Sequence, residues 1–263
     1  MIPIITLTTD FGTSSPYVAA MHGVILSMNP EARIVDLSHT IPPQDVRHAA
    51  WYLSEALPCF PSNTMHVVVV DPGVGTERTL LYVETSQGQR LLAPDNGVWT
   101  WLCKEKPRRV IELRNPSYWR AQISHTFHGR DILSPVAAHL SLGLDPLLLG
   151  PLRSHWNDLL WPAPSHHDDR SEGEVIFVDS FGNILTNLPG TLLTPGHQAE
   201  LHVGDRVLRH WVRTYGEAID GDVVVLVSSN GWIEIAQVNG NAARHLGIKR
   251  EAKVILKQGT PCS

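Results

Sequence analysis

The sequence predicts an α/β N-terminal domain with a mostly parallel sheet and flanking helices, followed by a smaller all-β, barrel-like C-terminal domain. Three observations carry this expectation. Residues 1–150 alternate β-branched runs with amphipathic, helix-spaced runs. Residues 151–172 lose that periodicity and collect prolines at 151, 162 and 164, the texture of a linker. Residues 173–263 then bring short strand-like runs separated only by turns. A length of 263 residues fits two domains, with one large domain as the alternative.

The first run, Ile4 to Thr9, reads as a strand, and Asp10-Phe11-Gly12-Thr13-Ser14 as the turn after it. Ser15-Pro16 supplies an N-cap and a proline at the first helical position. Tyr17, Ala20, Met21, Val24, Ile25 and Met28 follow at helical spacing, and Asn29-Pro30 stops the helix. A strand over 33–37, a helix over 45–57 with Val46, Ala49, Ala50, Leu53 and Leu57 inward, and a strand over 65–70 complete a β-α-β-α-β order. Further strands are expected over 79–84 and 109–113, with a helix over 132–142. In the C-terminal part the expected strands are 174–178, 184–187, 200–203, 206–212, 223–227, 233–236 and 253–256.

Composition narrows the partners. Net charge is −5 with a pI near 6.3 and no basic stripe is present, which argues against nucleic acid and for a small molecule. The amino terminus lacks a basic region and no apolar run could span a bilayer, so no membrane association and a cytoplasmic location are expected. Cys59, Cys103 and Cys262 are too few and too scattered for a disulfide framework or a zinc site and read as reduced, structural thiols. His166-His167-Asp168-Asp169 carries ligand-type side chains, but adjacent residues in a flexible linker rarely converge on one ion, so no metal is expected. Gly73-Val74-Gly75 extends into neither nucleotide-phosphate fingerprint.

Five segments place polar groups where chemistry is usually found. Val67 to Val70 read as a buried strand that delivers Asp71 to the carboxyl edge of the sheet, where the residue is either a turn former or a site carboxylate. Asp10 stands at the end of the first strand, as a cap or as a holder of a ribose diol. In Phe127-His128-Gly129-Arg130-Asp131, Asp131 reads as the N-cap of the next helix, whereas His128 is a loop histidine whose pKa lies near neutrality. In the C-terminal part, Asp179 to Asn187 and Ser228 to Glu234 read equally as turn chemistry or as an aromatic and amide surface suited to a purine.

Taken together, Thr8-Thr9-Asp10-Phe11-Gly12, Pro42-Pro43-Gln44-Asp45-Val46, Asp71-Pro72-Gly73-Val74-Gly75-Thr76-Glu77-Arg78, Ala93-Pro94-Asp95-Asn96-Gly97, the His128 segment, Phe181-Gly182-Asn183-Ile184-Leu185-Thr186-Asn187 and Gly240-Asn241-Ala242-Ala243 resemble one family. It is that of the S-adenosyl-L-methionine hydroxide adenosyltransferases, related to the S-adenosylmethionine-dependent fluorinase and chlorinase. The resemblance runs in order from residue 4 to about residue 256.

The resemblance implies hydrolysis of S-adenosyl-L-methionine to adenosine and L-methionine without a cofactor, in homotrimers with sites between neighbouring subunits. It implies that Asp71, Arg78 and His128 orient and activate water. It further implies that Asp10 holds the ribose hydroxyls while Asp179, Phe181, Asn183, Ser229 and Glu234 serve methionine and adenine. The fluorinase has a serine where this chain has Gly129 and a tyrosine where it has Asp71. A carboxylate beside the nucleophile repels halide and polarises water, which favours hydrolysis over halogenation. A non-catalytic adenosine or S-adenosylmethionine sensor is the alternative from another class.

Overall fold

The structure, a computed structural model, describes residues 4–103, 105–167, 170–195 and 197–261. Asp168, Asp169 and Cys262, along with the first three residues of the amino terminus, lie outside the described residues. The chain divides into two compact units, Met1–Leu160 and Trp161–Ser263.

In the first unit the elements run β1 (Ile4–Thr9), α1 (Tyr17–Met28), β2 (Arg33–Ser38), α2 (Val46–Ala56), β3 (Met65–Val69), β4 (Leu80–Glu84), β5 (Arg90–Pro94), β6 (Arg109–Glu112) and α3 (Ser134–Ser141). They build one six-stranded sheet in the order β2-β1-β3-β5-β4-β6. β1 pairs parallel with β2 and β3, and β3 pairs parallel with β5. β4, by contrast, is antiparallel to both β5 and β6, so the expected mostly parallel sheet is a mixed one. The cause is β5, a strand the sequence reading does not foresee. Only a tight turn, with Gly88 at φ +87°, joins it to β4, and a connection that short cannot make the crossover a parallel pair needs.

Alternation along β3 sends Val67 and Val69 into one core and Val68 and Val70 into the other. Met21, Ile25, Val136 and Ala137 from α1 and α3 cover the first face, and Ala49 and Leu53 from α2 cover the second. An apolar run with no polar alternation is what a strand covered on both faces requires.

Caps depart from expectation at two helices. Ser15 does not cap α1; Pro16 holds that position, and the Ser15 hydroxyl donates to the Phe11 carbonyl at 3.1 Å. α2 is capped by Asp45, whose carboxylate accepts from the His48 amide at 2.9 Å. Asp131 is not the N-cap of α3. It lies inside a π-helical turn, Gly129–Leu133, which runs straight into the helix.

Residues 151–160, within the segment expected as a linker, are bonded to the first unit. The Asn157 amide donates to Asp95 at 2.7 Å, the Trp101 indole to the Leu159 carbonyl at 2.9 Å, and the Arg153 guanidinium to Glu112 at 3.2 Å.

In the second unit the strands are β7 (Ser165–His167), β8 (Arg170–Val178), β9 (Ile184–Pro189), β10 (His197–Val203), β11 (Arg206–Leu208), β12 (Val223–Val227), β13 (Trp232–Gln237) and β14 (Lys253–Pro261), with a short helix α4 (Ala242–Leu246). The order is β11-β10-β14-β8-β9-β13-β12, with β7 on β8, and every named pair is antiparallel. β11 is shorter than the expected 206–212 because the chain then turns toward β12. There the Val212 amide donates to the Val225 carbonyl at 3.0 Å and the Val225 amide to the His210 carbonyl at 2.9 Å. The sheet is thereby nearly closed into a barrel around Val175, Ile184, Leu201, Val225, Ile235 and Val254.

Candidate active site

Asp71 stands just past the carboxyl end of β3, and the next seven residues fold back upon it. The Val74 amide donates to the Asp71 carbonyl at 3.2 Å, and the Thr76 amide and hydroxyl donate to the Gly73 carbonyl at 3.1 and 2.7 Å. Gly75 takes φ +80°, and a Cβ there would lie 2.9 Å from the His125 carbonyl oxygen, so only glycine fits. The recoil returns Arg78 to Asp71. Arg78 Nε lies 2.9 and 2.8 Å from the two carboxylate oxygens and Nη2 lies 2.5 Å from Oδ2, with both side chains largely buried.

The same Nη2 faces His128 Nδ1 at 2.8 Å. A guanidinium only donates, so Nδ1 accepts, and the imidazole is assigned as neutral with its proton on Nε2. The pKa of His128 is shifted in the same sense. Burial pushes it below the ordinary histidine value and the Arg78 cation adds to that, against the opposing influence of Asp71, Asp131 and the Ser124 backbone. Carboxylate, guanidinium and neutral imidazole thus form one continuous line.

His128 is carried into place by the π-helical turn that follows it, in which the Ser134 amide reaches back to the Gly129 carbonyl. Such turns often occur where a helix is adapted to a site. Gly129 packs against β3: a Cβ on it would lie 3.0 Å from both Val69 methyl carbons and 3.4 Å from the Met21 sulfur. Phe11, Tyr17 and Phe127 meet edge to face with centroids 5.3 to 5.6 Å apart, joining the β1–α1 turn to the His128 segment. The sequence reading singles out none of these three rings for a role, and their only signal is adjacency to Asp10 and His128.

Asp10 ends at the same sheet edge as Asp71, because Thr9 is in register with Val69. Its Oδ2 accepts from the Gln44 amide at 2.8 Å, and Gln44 holds the uncommon φ of +64°. Asn96 is a further residue to which the sequence assigns no role. Its side-chain amide donates to the Val70 carbonyl at 2.9 Å and so steadies the strand end that carries Asp71.

In the second unit, Asp179, Phe181 and Asn183 share one turn. Asp179 Oδ1 accepts from the Phe181 and Asn183 amides at 2.9 and 2.8 Å, and Oδ2 accepts from the Asn183 side chain at 3.0 Å. These are the bonds of a structural turn, yet they leave Phe181 75% exposed. Glu234 is buried at 5% exposure and accepts a 2.6 Å bond from the Tyr215 hydroxyl. Burial raises its pKa; the Tyr215 bond opposes that rise, and the nearby Asp179 charge adds to it. Ser229 lies exposed in the β12–β13 turn, 3.4 Å from the Asn230 side chain.

A cavity of about 560 Å³ opens beside Gly12, Ser15, Val18, His22, Asp36 and His39, and its lining includes none of Asp71, Arg78 or His128. The converging donors and acceptors, not the volume, mark the site. Among the described residues no group of three His, Cys, Asp or Glu is arranged to hold a metal ion. No helix among them is long and apolar enough to cross a membrane.

Residues 5–150 match the model of the SAM hydroxide adenosyltransferase N-terminal domain, and residues 173–255 match that of the C-terminal domain. The chain belongs to the SAM hydroxide adenosyltransferase family. Within that similarity, it is 40% identical to an (R)-S-adenosyl-L-methionine hydrolase of Thermus thermophilus, over 97% of this chain and 100% of the relative. It is 37% identical to a protein of that name from Salinispora tropica, over 94% of each. A fluorinase from an Actinoplanes species is more distant, at 26% identity over 89% of this chain and 91% of the relative. The crystal structure of an uncharacterized conserved protein from Thermotoga maritima matches with a TM-score of 0.90 at 35% identity, over 97% of this chain and 99% of that one.

Proposed function

We propose that this protein hydrolyses S-adenosyl-L-methionine to adenosine and L-methionine. The observation that carries the proposal is the Asp71–Arg78–His128 line at the end of β3, in a chain whose curated relatives are named (R)-S-adenosyl-L-methionine hydrolase. Water or hydroxide attacks the ribose 5′ carbon, the carbon–sulfur bond breaks with its electron pair passing to sulfur, and methionine departs as a neutral thioether. A neutral leaving group needs no general acid and no metal. Catalysis then consists of aligning water behind the 5′ carbon in a site dry enough to favour charge neutralisation.

In this reading Asp71 accepts a hydrogen bond or the proton from that water, and Arg78 holds the carboxylate by paired donors. The imidazole of His128, neutral at pH 7, holds the water from its other side. Asp10 binds the ribose hydroxyls; Asp179, Phe181, Asn183, Ser229 and Glu234 take the methionine and adenine ends. Halogenation is disfavoured because Asp71 repels an anion and Gly129 offers no hydroxyl. A homotrimer with sites between neighbouring subunits, free of cofactor and located in the cytoplasm, completes the proposal.

The test is to incubate purified protein with S-adenosyl-L-methionine and separate the products by chromatography. Adenosine and methionine should form in equal amounts, and adenosine no faster than the uncatalysed background would sink the proposal. Asp71→Asn should lower kcat by about 100-fold or more with a smaller change in KM, as loss of a group acting mainly in the transition state requires. Dilution that dissociates the assembly should abolish turnover if subunits share each site.

A further inference from the structure

The Asp131 carboxylate is completely buried, and the hydrolytic step has no use for it. Its Oδ1 accepts from Arg120 Nη1 at 2.9 Å and Arg130 Nε at 2.7 Å. Its Oδ2 accepts from Arg130 Nη2 at 2.9 Å and from the Ser124 amide and hydroxyl at 2.9 and 2.8 Å. The Ser124 hydroxyl in turn accepts from the Phe127 amide at 3.1 Å, while the Asp131 amide donates to the Phe127 carbonyl at 3.0 Å. The Arg120 amide closes the ring on the Asp131 carbonyl at 2.9 Å. The carboxylate therefore ties Arg120 and Ser124 of the irregular segment 120–127 together and reaches the Phe127 amide, in the residue preceding His128, through the Ser124 hydroxyl, while the Asp131 backbone amide holds the Phe127 carbonyl.

We propose that Asp131 is a positioning residue that sets the place of the His128 imidazole through Ser124. This rests on the reading of His128 as part of the water-holding site. Two links support it, one geometric and one electrostatic. Segment 120–127 has neither helix nor strand beyond the short turn 116–118 that precedes it, so its shape depends on side-chain bonds to Asp131. The groups acting on His128 are Arg78, Asp71, Asp131 and the Ser124 backbone, so two of the four belong to this clamp. Arg120 and Arg130 reach Asp131 from the solvent side, and without its charge both guanidiniums would lose their carboxylate partner.

The experiment compares Asp131→Asn and Ser124→Ala with the parent by steady-state kinetics and by nitrogen-15 NMR of labelled histidine, with His128→Gln identifying the resonance. Asp131→Asn should lower kcat about 10- to 100-fold, the loss expected for a misplacement of about 1 Å, and leave KM within about threefold. The same variant should move the His128 titration to lower pH, a readout that a merely structural role would leave in place. Asp131→Glu should restore part of both. A folded Asp131→Asn protein with unchanged kcat and unchanged His128 titration would overturn the proposal. Should Asp131→Asn not fold, Ser124→Ala keeps both guanidinium bonds, and an unchanged kcat there would equally overturn it. A parent protein that makes no adenosine would defeat the hydrolase reading alone, since the NMR titration still reports on Asp131.

Discussion

Adding one methyl group at Gly129 isolates the packing that seats His128 on β3. Gly129 lies outside the left-handed region, so alanine is allowed there by the backbone and the cost is steric alone. The new Cβ would meet both Val69 methyl carbons at 3.0 Å, well inside ordinary carbon contact, in a strand where Val69 is itself 6% exposed. Overpacking of this kind costs about 1–3 kcal/mol, offset by about 0.4–1 kcal/mol because alanine restricts the unfolded chain more than glycine does. A net destabilisation of up to about 2.6 kcal/mol follows, or up to roughly 10 °C in the melting of a unit this size. In a Val69→Ala background the obstruction is gone, and the same substitution should become neutral or mildly stabilising. Four proteins in a double-mutant cycle, followed by urea unfolding, measure the coupling, expected at about 1–3 kcal/mol. Equal effects of Gly129→Ala in both backgrounds would refute the reasoning. The Gly129→Ala single variant should also lose turnover, because the residue being pushed adjoins His128.

Two further outcomes depend on protons. His128 acts here as a neutral acceptor whose pKa is held below the ordinary value, so kcat should stay level as pH falls through 6.5 and decline only below it. An acid limb centred above 6.5 would exclude that role. His66 is fully buried, bonded at Nδ1 to the Thr6 hydroxyl at 2.7 Å, and its pKa is pushed down to about 3 by burial. The unfolded chain therefore binds a proton that the folded chain refuses between about pH 6.5 and 3, and stability must drop as pH falls through that window, by roughly 2 kcal/mol between pH 7 and pH 5. Urea midpoints across that range should flatten in His66→Leu; an unaltered pH slope would count against the assignment.

Much of this site is legible in one dimension because its geometry is local. Asp71 and Arg78 are seven residues apart in a glycine-rich turn, and a strand of four valines can only deliver the residue after it to the sheet edge. Asp10 and Asp71 were placed at the same edge by the β-α-β order, which the register of β1 with β3 bears out. The antiparallel β4–β5 hairpin was less legible. Arg90-Leu91-Leu92-Ala93-Pro94 is short, lacks alternation and ends in proline, so its strand character is set by the neighbours it pairs with on both sides.

Sequence alone was sufficient for the two textures of the chain and for the family, since β-branched runs, turn chemistry and motif order are properties of contiguous residues. Tertiary structure alone decided which atoms meet. The pairing of Arg78 Nη2 with His128 Nδ1, fifty residues away, fixes the tautomer of the imidazole. Burial of Asp131 turns an expected helix cap into the clamp of a loop, and the approach of Val69 to Gly129 explains why that position has no room for a side chain. Each of these depends on distances between segments remote in the chain, and hydrogen bonding and close packing act on distance, not on order along the chain.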